Sequence, residues 1–150
     1  MKVVLQRVSQ ASVTVDKKVI SKISGSGFLL LCGFEEGDGR EQIERLVHKI
    51  SNVRVFPDKE GKMNLNIKQV EGKILSVSQF TLYAALKKGN RPSFTPAQKP
   101  ELAAQNYQTF NQLLRAQGIQ VVEGIFGAEM KVELVNDGPV TLIYDTDNLV

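Results

Sequence analysis

The apolar positions from Lys2 to Val8 and again from Ala11 to Val15 are rich in β-branched residues, and both stretches read as strands. Asp16-Lys17-Lys18 predicts a turn, and Val19-Ile20-Ser21-Lys22-Ile23 a further strand. Gly25-Ser26-Gly27 predicts a break, followed by the apolar run Phe28-Leu29-Leu30-Leu31-Cys32, a buried strand ending at Gly33. The pattern then changes. Ile43, Leu46, Val47 and Ile50 recur at helical spacing, with Asp38, in the polar stretch before them, as the expected cap of a helix reaching Asn52.

Val53 to Phe56 predicts a short strand leading into the turn-rich "PDKEGKMNLN", and Lys73 to Phe80, "KILSVSQF", a longer one. Gly89 to Pro100 holds three prolines and predicts an irregular loop. Leu102, Ala103, Tyr107, Phe110, Leu113 and Leu114 mark the clearest helix, capped by Gly118, and Ile119 to Val122 predicts a strand. Met130 to Leu134 and Val140 to Tyr144 alternate like strands on either side of Asn136-Asp137-Gly138, the chemistry of a hairpin turn. The element order predicts an α/β domain of the α+β kind. Its core is a mixed, largely antiparallel, barrel-like sheet with two main helices packed on it.

Composition narrows the function classes. The 150 residues, 42% hydrophobic and 23% charged, predict a single globular domain over 1–150. No apolar run approaches the ~20 residues of a membrane helix, and Met1 to Arg7 is too soon charged for a signal peptide. One cysteine excludes an internal disulfide, so a reduced, cytoplasmic setting is expected. With one histidine as well, a Cys/His zinc site is nearly excluded, and no metal or cofactor is expected. That histidine, His48, falls opposite the apolar face of the first helix, which discounts Ser-His-Asp chemistry. Net charge is only +3, but Lys87, Lys88 and Arg91 crowd one short segment, with Lys99 further on.

Two stretches could carry chemistry. Ser78-Gln79-Phe80-Thr81-Leu82 places two hydroxyls and an amide where a strand ends and backbone N–H groups come free, a setting that can hold a carbonyl or oxyanion. By composition alone the same residues also fit a strand that simply ends in polar side chains. In Asn136-Asp137-Gly138-Pro139-Val140-Thr141, proline cannot donate to a ladder, and glycine before it lets the backbone approach a neighbour closely. A cis Gly-Pro bond there would present two carbonyls on a similar side; a turn with an edge proline is the plainer alternative.

Together, "SQFTL" at 78–82 and "NDGPVT" at 136–141 resemble the two signature motifs of the D-aminoacyl-tRNA deacylase family. "LQRVSQASVTV", "RVFPDKEGKMN", "KKGNRPSF" and "FGAEMKVELVNDGPVT" are similar to further segments of that family, so the likeness covers nearly the whole chain. The resemblance implies the deacylase fold and a cytoplasmic homodimer that hydrolyses the ester joining a D-amino acid, or misattached glycine, to the 3′-terminal adenosine of tRNA. It implies a cis Gly138-Pro139 bond that reaches into the partner's site and rejects L-amino acids. It also implies a substrate carbonyl near the N–H groups of Phe80 and Thr81, a site shaped by Ser78 and Gln79, and assistance from the terminal 2′-OH. Met130, Val140 and Thr141 become substrate-binding candidates, and Lys87, Lys88 and Arg91 candidates for tRNA phosphates. Two rivals differ in class: a small-molecule esterase or amidase with Thr81 as nucleophile, and a non-enzymatic dimeric RNA-binding protein.

Overall fold

A computed structural model describes residues 1–149. Two long strands, β1 (Lys2–Val15) and β2 (Lys18–Gly33), pair antiparallel along their lengths. The helix α1 (Arg40–Asn52) follows, then a small hairpin of β3 (Phe56–Pro57) and β4 (Met63–Leu65). The rest of the chain supplies β5 (Lys73–Ser78), a 3₁₀ turn (Phe80–Tyr83), α2 (Pro100–Ala116), β6 (Gln120–Glu123) and β7 (Lys131–Asp145). The main sheet has the order β6-β5-β2-β1-β7, with β5 parallel to both β2 and β6 and β7 antiparallel to β1.

Both faces of the sheet are covered by apolar side chains. On one, Val3, Leu5, Phe28 and Leu30 pack with Ile43, Leu46 and Ile50 of α1 and with Tyr107, Phe110 and Leu114 of α2. On the other, Val8, Val13, Ile23, Leu29, Leu75 and Val77 form a second cluster, edged by Met130, Val132 and Leu134. Each fully buried large apolar side chain is worth about 1.5–3 kcal/mol of transfer free energy. His48 is exposed, on the face of α1 away from this core.

Three local expectations are corrected. Gly25-Ser26-Gly27 does not break the chain. Ser24 pairs with Gln10 and Gly27 with Val8, so the glycines form a bulge inside β2, held by the continuous β1 alongside. Asp38 does not cap α1; Gly39 stands at that position and donates its N–H to Gln42 Oε1 at 3.0 Å. The Asp38 carboxylate is taken instead by the buried amino group of Met1, at 2.7 Å, because a charge removed from water needs an opposite charge beside it.

The third correction bears on function. Asn136-Asp137-Gly138 does not turn the chain back into a hairpin. β7 runs on as one strand, and both of its halves pair with β1: Gln6 with Thr141 and Val8 with Asn136. Four residues, Asp137 to Val140, therefore bulge out opposite the single residue Arg7. The turn chemistry is present, but β1 offers ladder partners to both halves, and that pairing wins. Side chains supply what the ladder loses: Asn136 Oδ1 accepts the Val140 N–H at 2.9 Å.

Candidate active site

The parallel strands β2 and β5 end side by side, at Gly33 and Ser78. One last bond, from the Gln79 N–H to the Cys32 carbonyl at 2.7 Å, holds the chain before it winds into the 3₁₀ turn. Within that turn Leu82 donates to the Gln79 carbonyl and Ala84 to the Thr81 carbonyl. The N–H groups of Phe80 and Thr81 come before the first of these donors and have no carbonyl of the turn to bond. Gly33 permits the close approach: a Cβ there would lie 2.9 Å from the Gln79 carbonyl oxygen and 3.1 Å from Leu82 Cβ.

Beside these strand ends lies a cavity of about 640 Å³. Ser78, Gln79 and Phe80 form one part of its wall; Phe94, Phe126 and Met130 make much of the rest apolar. Among the described residues lining it there is no carboxylate and no imidazole; its ionisable groups are Cys32 and Lys99. Cys32 is only 1% exposed, and burial pushes its thiol up to about 12, against a smaller opposing effect of its contact with Ser76. It is therefore a protonated thiol at neutral pH, unsuited to nucleophilic attack. Met130 rests its sulfur over Gly124, where a Cβ would come within 2.6 Å of it.

Thr81 stands exposed and outside the cavity wall. Its hydroxyl accepts a hydrogen bond from Gln79 Nε2 at 2.5 Å. A carboxamide N–H cannot take up the hydroxyl proton, so this neighbour orients the side chain without activating it. Phe80 is 58% exposed and meets Phe94 edge to face, ring centres 4.9 Å apart. Lys87, Lys88 and Arg91 are exposed on the loop 86–92, whose base is closed by paired backbone bonds between Ala85 and Ser93. They stand outside the wall, whereas Lys99 is part of it.

Gly138, Pro139, Val140 and Thr141 do not line this cavity. The Gly138-Pro139 bond is cis, and both residues are exposed on the bulge of β7. Only glycine fits at 138: φ is +137°, and a Cβ would lie 2.8 Å from Arg7 Nη2. Arg7 donates from Nε to the Asp137 carbonyl at 2.8 Å and from Nη1 to the Val55 carbonyl at 2.5 Å. Val140 is buried in the helix-side core, and the Thr141 hydroxyl accepts from Asn136 Nδ2 at 2.9 Å. The bulge is thus pinned from behind while its tip points away from its own fold.

The family model for D-Tyr-tRNA(Tyr) deacylase matches residues 4–145. The chain belongs to that family. Membership makes it a hydrolase of aminoacyl-tRNA esters. It is 54% identical over 157 aligned positions to the D-aminoacyl-tRNA deacylase of Bifidobacterium animalis subsp. lactis (strain AD011), and 52% identical over 157 to that of Bifidobacterium adolescentis. In each comparison 99% of both chains is covered. Among solved structures it is similar to a c-Myc DNA unwinding element binding protein, with a TM-score of 0.89 and 42% identity over 97% of this chain and 98% of that one. It also resembles a probable eukaryotic D-amino acid tRNA deacylase, with a TM-score of 0.80 over 95% and 97% of the two chains. At 20% identity that second likeness is one of fold alone.

Sequence reasoning about this deacylase missed Arg7, Phe94 and Phe126. Phe94 closes the quoted "KKGNRPSF", and its bulk among small polar neighbours was the available signal. Arg7 carried none, because its role depends on the bulge that forms only when β7 pairs with β1.

Proposed function

We propose that this chain works in the cytoplasm as a homodimer and hydrolyses the ester between a D-amino acid, or glycine, and the 3′-terminal adenosine of tRNA. The observation that carries this reading is the cavity: a mainly apolar lining with no carboxylate or imidazole to serve as a base, beside a 3₁₀ turn whose first two N–H groups, at Phe80 in the wall and Thr81 next to it, find no carbonyl in the turn. The ester carbonyl sits against the N–H groups of Phe80 and Thr81, which stabilise the oxyanion as water adds. Such donors are worth about 3–4 kcal/mol each in other acyl-transfer enzymes. Ser78 and Gln79 shape this end, and Met130 walls the terminal adenosine.

With no protein base at hand, the 2′-OH beside the ester relays the proton. Water forms the new C–O bond, and its proton passes through the 2′-OH to the departing 3′ oxygen. The products are free amino acid and tRNA. Chirality is read by the partner's Gly138-Pro139, whose carbonyls occupy the space an L side chain would need, with Val140 and Thr141 fixing the strand behind them. Support comes from the exposed bulge, which lies outside its own chain's cavity and so could line only another copy's. Glycine, lacking a side chain, passes the same filter. Lys87, Lys88 and Arg91 hold backbone phosphates, which gives affinity without sequence reading.

Single-turnover deacylation tests this. D-aminoacyl- and glycyl-tRNA should be hydrolysed and L-aminoacyl-tRNA spared. A terminal 2′-deoxyadenosine should abolish the rate. Thr81→Ala, which keeps the backbone N–H, should stay within about tenfold of wild type, whereas loss of a nucleophile costs about a thousandfold or more. No hydrolysis of any D-aminoacyl- or glycyl-tRNA at high enzyme concentration would instead favour a non-enzymatic RNA-binding protein.

A further inference from the structure

Phe80 and Phe94 form an edge-to-face pair, ring centres 4.9 Å apart and planes at 72°, in the wall of the cavity. Phe80 remains 58% exposed and Phe94 is half-buried, so the pair keeps aromatic surface open to solvent. Core aromatics do not leave this much surface in water, and catalysis as proposed uses only the backbone of Phe80. The chain between and just beyond the two rings is also one-sided in charge. From Phe80 to Pro100 it carries Lys87, Lys88, Arg91 and Lys99 and not one carboxylate.

The loop geometry brings these features together. The loop 86–92 leaves from Ala85 and returns to Ser93, which are bonded to each other, and Ser93 is next to Phe94. Its tip therefore stands no more than about 14 Å, four residues at ~3.3–3.6 Å each, from that base. Exposed aromatic faces followed at this reach by clustered cations are what non-specific single-strand binding sites are made of. The rings stack bases of any identity, and the cations follow the phosphates.

We propose that the Phe80–Phe94 pair is a stacking platform for the nucleobase that precedes the terminal adenosine, with the loop 86–92 holding the phosphates beyond it. This rests on the deacylase reading above and adds the path by which the single-stranded 3′ end leaves the cavity. The base stacks on the open aromatic surface. Its contribution is insensitive to salt, while that of Lys87, Lys88 and Arg91 declines as salt rises.

The test compares two esters of the same D-amino acid, one on adenosine and one on the trinucleotide CpCpA. Wild type should prefer the CpCpA ester by about tenfold or more in KM, part of that preference surviving in high salt. Phe94→Ala should remove the salt-resistant part, and Phe94→Tyr, which restores a ring, should recover it. Equal losses on both esters in Phe94→Ala would overturn the platform. So would a wild type that does not distinguish them, or a Phe94→Ala loss that tracks a weakened dimer. If wild type hydrolyses neither ester, the deacylase reading fails by itself. Equilibrium binding of labelled CpCpA and adenosine to the same variants then decides the platform separately.

Discussion

The Arg7 guanidinium donates to the Asp137 carbonyl at 2.8 Å, from the one β1 position around which four residues of β7 bulge. Its second bond, to the Val55 carbonyl, ties that bulge to the connector after α1. Arg7→Ala removes both and should cost about 1–3 kcal/mol of stability. If Gly138-Pro139 is the proposed chirality filter, the variant should also blunt the preference for D over L substrates, because that tip loses its backing. Arg7→Lys, a point charge without the fork, should recover only part of each. Denaturant titrations and paired D- and L-aminoacyl-tRNA assays measure the two effects. Full L rejection by a folded Arg7→Ala would detach Arg7 from the filter.

Gly33 lets the 3₁₀ turn lie against β2. An added methyl would press on the Gln79 carbonyl, which is backbone and cannot swing aside. Gly33→Ala should lose about 1–3 kcal/mol of stability and at least tenfold in deacylation, since Phe80 and Thr81 are displaced with the turn. Gly61→Ala is the control: its φ of +79° makes alanine strained, but nothing lies within 4 Å of an added Cβ, and it is outside the cavity wall. That variant should lose stability and keep its rate.

Cys32 should be silent in the native protein. With its thiol pushed up to about 12 by burial, the thiolate at pH 8 is on the order of one part in ten thousand, and the sulfur is closed off as well. A thiol reagent such as DTNB should give no colour in native buffer and one equivalent per chain on unfolding. Rapid native labelling would mean that the floor of the cavity opens to solvent.

All three tyrosines should resist alkali together. Burial raises each phenol. At Tyr83 the carboxylates of Asp38 and Glu35 raise it further. A phenol raised in the folded state contributes stability that is fully present below its unfolded value near ~10 and is lost as pH climbs through the folded one. Above pH ~10 the unfolded chain sheds protons that the folded chain keeps. The denaturant midpoint should therefore fall steadily there, and tyrosinate absorbance should appear only with unfolding. Its appearance near pH ~10 in still-folded protein would contradict the burial of these side chains.

Much of the architecture was legible as pattern. Ile43, Leu46, Val47 and Ile50 are the buried stripe of α1, and Tyr107, Phe110 and Leu114 that of α2, because helical spacing alone fixes which side chains share a face. Gly118, at φ +82°, ends the second helix region as its lack of a Cβ allows. Two of the three misreadings were local turns overruled by distant partners. Gly25-Ser26-Gly27 and Asn136-Asp137-Gly138 have the chemistry of breaks, but β1 pairs with what lies on both sides of each.

The sequence by itself determined the buried stripes of the two helices, the presence of "SQFTL" and "NDGPVT", and the scarcity of histidine and cysteine. These depend on residue type and on spacing along the chain. Only the tertiary structure decided that "SQFTL" meets Phe94, Phe126 and Met130 around one cavity, while "NDGPVT" stands apart on a bulge held by Arg7. Such neighbours are set by sheet register and by pairing between residues more than a hundred positions apart, and no local pattern records which strand a strand will choose.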